Sequence, residues 1–146
     1  MLEIVKELVY EILKNDNSGH GIDHIERVLN LSLKFCKEEK GNKEKVILIA
    51  LLHDVDDYKL FGIDNANNLT NAKKILDKID ISCDIKEEIL DNVNCIGFNK
   101  RLKGLIPKSL EGKIVSDADM CDALGVTGVL RTYQYSLKHL HYRHHI

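Results

Sequence analysis

At 146 residues, 30% of them charged and 44% apolar, with one proline and nine glycines, the chain has the make-up of one soluble globular domain, not of a disordered or fibrous protein. A formal net charge of −2 lacks the basic balance that draws a protein to nucleic acid or an anionic membrane. Cys36, Cys83, Cys95 and Cys121 are widely spaced with no Cys-x-x-Cys, which argues against a disulfide framework or zinc knuckle and for a reducing, cytoplasmic setting.

Leu2, Val5, Leu8, Val9, Ile12 and Leu13 follow helical spacing, and the turn-prone run from Asn15 to Gly19 ends that first helix. Glu3, Lys6, Glu7 and Glu11 interrupt it, so it does not read as a secretory signal. A second helix is predicted from about Ile22 to Lys40, with Gly41-Asn42 as its stop. The third, from Lys43 to about Asp56, is apolar nearly all round and belongs at the centre of the fold. Its apolar run, Val46 to Leu52, falls far short of the roughly 20 residues of a membrane span. Helices follow around Asn65 to Ile79 and Asp84 to Phe98, then a loop through Gly104 and Pro107, then helices from Glu111 to Leu124 and from Thr127 to about His139. No segment alternates with period two for long enough to make a strand. The expectation is an all-α fold: a compact single-domain bundle of about six to seven helices over residues 1–146.

His24, the pair His53-Asp54 and Asp117 place two imidazoles and two carboxylates on three of these helices. Nitrogen and oxygen ligands together suit a borderline-to-hard divalent cation. Asp54 closes a buried apolar run, where a carboxylate is costly unless paired or metal-bound. His20 lies four residues before His24, Arg27 three after it, and Asp57 four after His53, with Lys59 close behind. Asp119 and Asp122, three apart, share a helix face and read as structural hydrogen-bonding groups. The basic stretch Lys100, Arg101, Lys103, Lys108 and Lys113 either meets a phosphate or stays a solvated loop, the second being the default. His141 and His145, at helical spacing, could take a metal only adventitiously.

The segments GHGIDHIERV, IALLHDVDDYKL and KIVSDADMCDALGVTGVLR resemble the HD-domain superfamily of metal-dependent phosphohydrolases, in particular small bacterial members similar to nucleotide pyrophosphohydrolases. The resemblance covers roughly residues 18 to 135. It implies one divalent cation on His24, His53, Asp54 and Asp117, Mn foremost, with Fe, Co, Zn, Ni or Mg as alternatives. Two-metal relatives add histidines between the second and last ligands, where this chain has none and offers Asn92, Asn94 and Cys95. His20, Asp57 and Lys59 are implied as catalytic neighbours, and Arg27, Lys59 and Arg131 as phosphate contacts. The expected reaction is attack of a metal-activated water on a phosphate ester or anhydride, foremost of a nucleotide. Neither nucleic acid nor membrane is an expected partner, and a homo-oligomer is compatible with the sequence. Similar longer proteins continue past the Asp-Ala-Asp block, so the domain is expected to be short at its C-terminus and its pocket more open. The alternative is a regulatory module that binds metal or nucleotide with little turnover.

Overall fold

The computed structural model describes residues 1–140, with side-chain placement at all of these except 125–127, 131 and 138–140. Every regular element among the described residues is a helix: α1 (Leu2–Leu13), α2 (Ile22–Glu39), α3 (Lys43–Leu52), α4 (Tyr58–Phe61), α5 (Ile63–Asn68), α6 (Thr70–Leu76), α7 (Cys83–Val93), α8 (Phe98–Leu102), α9 (Leu110–Asp122) and α10 (Gly125–Leu140). That is more pieces than the six to seven expected, and backbone conformation explains the difference. The expected Asn65–Ile79 helix breaks at Leu69, which adopts a left-handed φ of 50°. Leu69 itself is buried, and the carboxylate of Asp56 takes over the capping role, accepting from the backbone N–H of Asn71 and of Ala72, each at 2.8 Å. Likewise the Asp84–Phe98 helix stops at Val93, and Gly97, at φ 132°, turns the chain into the separate α8.

α3 is the hub. It packs against α1, α2, α7 and α9 and buries Val46, Leu48, Ile49, Ala50, Leu51 and Leu52, as its apolar circumference predicts. The surrounding faces are Val5, Val9 and Leu13 of α1, Ile25 and Val28 of α2, Ile89 and Val93 of α7, and Ile114, Val115 and Ala118 of α9, all in one buried cluster with α3. Burying a side chain such as Leu52 fully is worth about 1.5–3 kcal/mol. Asn42 caps α3 by accepting from Lys45 N at 3.1 Å, and Ser109 caps α9 by accepting from Gly112 N at 3.0 Å. Gly112 permits a close approach to α7, because a Cβ there would run into the Asn92 side chain.

The end of α3 matters most for function. The helix stops at Leu52, not at Asp56, so His53 forms its C-cap and Asp54 lies just beyond it. Both leave the core at a point that the first turn of α2 and one face of α9 also reach. No helix among the described residues is long and apolar enough to cross a membrane.

Candidate metal centre

Four ligand atoms converge where α2, the end of α3 and α9 meet. His24 Nε2 lies 3.2 Å from His53 Nε2, 3.2 Å from Asp54 Oδ2 and 3.3 Å from Asp119 Oδ1, and His53 Nε2 lies 3.7 Å from each of those carboxylate oxygens. Metal–ligand bonds of about 2.0–2.2 Å imply ligand-to-ligand edges of roughly 3.0–3.4 Å in tetrahedral or octahedral shells, so this spacing fits one divalent cation with slight contraction. The rings are also held in the correct sense. His53 Nδ1 donates to the carbonyl of Ala50 at 2.7 Å, and because a carbonyl only accepts, the lone pair of the neutral ring is left on Nε2. His24 Nδ1 donates to Asp122 Oδ2 at 2.8 Å, with the same result. Such outer partners fix tautomer and orientation in metal sites.

The electrostatics agree. The side chains of His24 and His53 are 1% and 0% exposed. Burial would push the His24 imidazole down, yet Asp119, Asp122 and Asp54 raise it to about 10. His53 is raised too, with Asp54 and Asp119 overcoming its burial. Two imidazolium rings with nitrogens 3.2 Å apart would repel, so the pocket calls for a single shared positive charge. Burial alone would raise the Asp54 and Asp119 carboxyls, but the facing imidazoles hold both well below the usual carboxylate range.

The principal correction to the sequence reading is in α9. Asp117 does not reach the cluster: its side chain is 64% exposed and lies 3.7 Å from Arg101. Asp119, expected to be structural, occupies that corner instead. Asp122 is buried and holds both His24 and Arg27, whose Nε and Nη2 donate to its carboxylate at 2.9 and 3.3 Å. Two of the donors of Arg27 are thus committed to Asp122, while its side chain remains 37% exposed.

His20 sits in the loop before α2. Asp16 accepts from its backbone N–H at 3.2 Å, and its ring Nδ1 lies 3.1 Å from Asp54 Oδ2, so that His20, His24 and Asp54 form a second group with metal-ligating geometry. Asp57 caps α4 by accepting from Lys59 N at 2.9 Å, and it faces the site closely enough that burial, together with the Asp54 charge, raises its carboxyl. The Lys59 ammonium lies 4.6 Å from the Tyr135 ring centre, a cation–π contact between the α4 turn and α10. The Arg131 side chain, His141 and His145 lie outside the described residues. Asn92 is committed elsewhere, donating to Glu88 O at 2.7 Å and accepting from Ser109 Oγ at 3.0 Å. A groove of about 450 Å³ borders His24 and Arg27, between the loop at Asp16 to Gly21 and the α10 residues Leu130 and Gln134; His53, Asp54 and Asp119 are not in its wall.

Residues 21–124 match the family model of the HD domain. The chain is 29% identical to the uncharacterized protein YpgQ of Bacillus subtilis over 138 residues, 92% of this chain and 65% of YpgQ. It is 31% identical to the uncharacterized protein L803 of Acanthamoeba polyphaga mimivirus over 144 residues, 88% of this chain and 58% of L803. It thus spans less than two thirds of the length of either relative. Among solved structures, a Lactobacillus plantarum protein superposes with a TM-score of 0.82 at 32% identity, covering 92% of this chain and 62% of that one. A predicted HD superfamily hydrolase from an uncultured Thermotogales bacterium gives 0.71 at 30% identity, covering 90% and 73%. YpgQ has been crystallised in complex with ADP, and that structure superposes with a TM-score of 0.67 at 24% identity, covering 93% and 67%. Taken with the buried histidines and the His53-Asp54 pair at the end of α3, the match over residues 21–124 means that this chain belongs to the HD-domain family.

Proposed function

We propose that this protein is a metal-dependent phosphohydrolase that acts on a phosphate ester or anhydride, foremost a nucleotide. The observation that carries the reading is the convergence of His24, His53, Asp54 and Asp119 with both imidazoles tautomerically fixed from behind. Those four residues are the proposed ligands of one divalent cation, with Mn²⁺ as the first choice. When bound, such a cation lowers the pKa of a coordinated water and draws charge from a phosphoryl oxygen. His20, beside Asp54 and partly open to solvent, can hold or move a proton at Nδ1. Asp57 can orient a water or substrate hydrogen-bond donor through its free carboxylate lone pairs, since its cap uses only one. Lys59 supplies positive charge at the rim. The structure of YpgQ in complex with ADP supports a nucleotide as the ligand class.

The deciding experiment is turnover of nucleoside mono-, di- and triphosphates with Mn²⁺, Co²⁺ and Mg²⁺. Product analysis tells pyrophosphate release from single-phosphate release. If nothing on that panel is hydrolysed while a nucleotide raises the melting temperature, a regulatory nucleotide-binding module replaces the enzyme.

A further inference from the structure

Residues 53–57 join α3 to α4 and lie outside any helix, yet they carry His53, Asp54 and Asp57. The main-chain bonds of this turn are long: Val55 N–H donates to Leu52 O at 3.4 Å and Asp57 N–H to Asp54 O at 3.3 Å, beyond the usual range of about 2.7–3.2 Å. A firmer grip comes from the start of α6, fifteen residues further on. Asn71 donates from its side-chain Nδ2 to the carbonyl of Val55 and from its backbone N–H to Asp56 Oδ1, each at 2.8 Å. Ala72 N–H donates to Asp56 Oδ2 at 2.8 Å, and Asn65 Nδ2 to Asp56 Oδ1 at 2.5 Å. These bonds all converge on two consecutive residues, Val55 and Asp56, which are 0% and 5% exposed and stand between Asp54 and Asp57.

Capping α6 does not by itself require this arrangement. A helix start is ordinarily capped from its own N-cap position, most often by Ser, Thr, Asp or Asn. Here that position is Leu69, which makes no side-chain cap bond and takes a left-handed φ of 50°, a conformation that disfavours a residue with a Cβ. The capping carboxylate comes instead from the end of α3, and it is buried, which is costly for a charge unless its lone pairs are met. The Asn71 side chain adds a bond that caps nothing in α6, since it goes to the Val55 carbonyl. α6 is itself anchored: it packs against α1 and α7 and buries Ala72, Ile75 and Leu76. Its start is therefore a fixed post to which the main chain at Val55 and Asp56 is fastened. Rotating that backbone would swing Asp54 on one side and Asp57 on the other, and Asp54 Oδ2 stands 3.2 Å from His24 Nε2. We infer that Asp56 and Asn71 are positioning residues of this centre: by gripping the main chain between Asp54 and Asp57 they set where both carboxylates stand. This rests on the metal-centre reading, and neither residue is assigned a contact with the cation or the substrate.

The test uses the full chain with Mn²⁺ as the probe. Asn71→Ala removes the Val55 contact and keeps the backbone N–H on Asp56, Asp56→Asn disturbs the paired N–H bonds, and Asn42→Ala removes the cap at the far end of α3 as a loss of stability away from the centre. Affinity is measured by calorimetric titration at a temperature where circular dichroism shows each variant folded, so that a lower melting temperature alone cannot weaken binding. The expected result is about tenfold weaker Mn²⁺ binding in Asn71→Ala, the low end of the range for partners that orient a metal ligand, with unchanged affinity in Asn42→Ala. Metal-free Asn71→Ala should also show faster amide hydrogen exchange at residues 54–57. Should Asp56→Asn fail to fold, Asn71→Ala decides alone. Unchanged Mn²⁺ affinity in Asn71→Ala, whatever its melting temperature, or an equal loss in Asn42→Ala, would overturn the inference and leave Asp56 and Asn71 as ties between α3 and α6. Wild type that binds Mn²⁺ yet hydrolyses no nucleotide sinks the phosphohydrolase reading while the variant affinities still decide the positioning role. Wild type that hydrolyses a nucleotide, with Mn²⁺ affinity unchanged in Asn71→Ala, overturns the positioning role alone, and wild type that binds no Mn²⁺ overturns both.

Discussion

Exchanging the two candidate carboxylates of α9 should give opposite results. In Asp119→Asn the change falls 3.3 Å from His24 Nε2 and removes a full charge from the proposed ligand set. Replacing even an outer partner of a metal ligand costs 10–100-fold in affinity, so the loss here should reach at least about 100-fold. Wild type at a free Mn²⁺ concentration about 100 times its Kd gains about 2.7 kcal/mol of stability, which for a chain of this length is roughly 5–10 °C in Tm. At the same concentration Asp119→Asn would sit near or below half-saturation and gain at most about 0.4 kcal/mol, or roughly 1 °C. Asp117→Asn should behave like wild type towards metal. Its ion pair with Arg101 joins side chains 64% and 45% exposed at 3.7 Å, and pairs of that kind are worth roughly 0–1 kcal/mol. Thermal melts with and without Mn²⁺, together with elemental analysis after dialysis, measure both quantities. Retention of the Mn²⁺-dependent shift in Asp119→Asn and its loss in Asp117→Asn would refute the assignment.

Metal binding should release a proton, because the metal-free His24 imidazole, lifted to about 10 by Asp119, Asp122 and Asp54 against its burial, is protonated at neutral pH. Apparent Mn²⁺ affinity should therefore rise about tenfold per pH unit between pH 6 and 8, and calorimetric titration showing a flat dependence and no proton release would count against that electrostatic picture. Asp122→Asn should weaken metal binding about 10–100-fold with the fold retained, since it loosens His24 from behind and releases Arg27; unchanged affinity would show that Asp122 only ties α9 to α2. Asp57→Asn should keep its metal and lose at least about tenfold in turnover if the carboxylate orients a water or substrate, a typical scale for general acid–base groups being 10²–10⁴; full turnover would leave it as the cap of α4 alone.

Much of the fold could be read from periodicity, and the places where it could not share a cause. α1, α2, α3 and α9 carry apolar residues at helical spacing, and α3 and α9 also have side-chain caps at their starts in Asn42 and Ser109. The splitting between residues 56 and 102 was not, because it depends on contacts distant in sequence. Leu69 accepts a left-handed conformation since its side chain is buried and Asp56 satisfies the next helix from outside. The asparagines in Asn65, Asn67 and Asn68 signalled only a weak helix former. A signal for the break before α8 was present in the glycine at position 97, which adopts a φ of 132°.

The Asp117 misassignment is more instructive, because the information that corrects it is in the sequence. Along α9, Lys113, Asp117 and Cys121 recur at intervals of four and are all exposed. Val115, Ala118 and Asp122 form the opposing buried stripe, with Asp119 at its edge, four residues after Val115 and three before Asp122. A carboxylate that binds a cation beside two buried histidines must project from the same face as the apolar residues that dock its helix, since residues three and four apart are neighbours on a helix and residues two apart are not. Asp117 lies two residues after the buried Val115, and in a helix each step along the chain turns the side chain by about 100°, so nearness in sequence to apolar residues does not bury it. Helical phase therefore puts Asp119 beside the two histidines and Asp122 behind the His24 imidazole, and it gives Asp117 to solvent and Arg101. The same phase makes a separable forecast for Cys121, which shares the stripe of Asp117: its thiol should react with a water-soluble alkylating reagent without loss of Mn²⁺, whereas metal loss on modifying Cys121 would mean that the stripe faces the site after all.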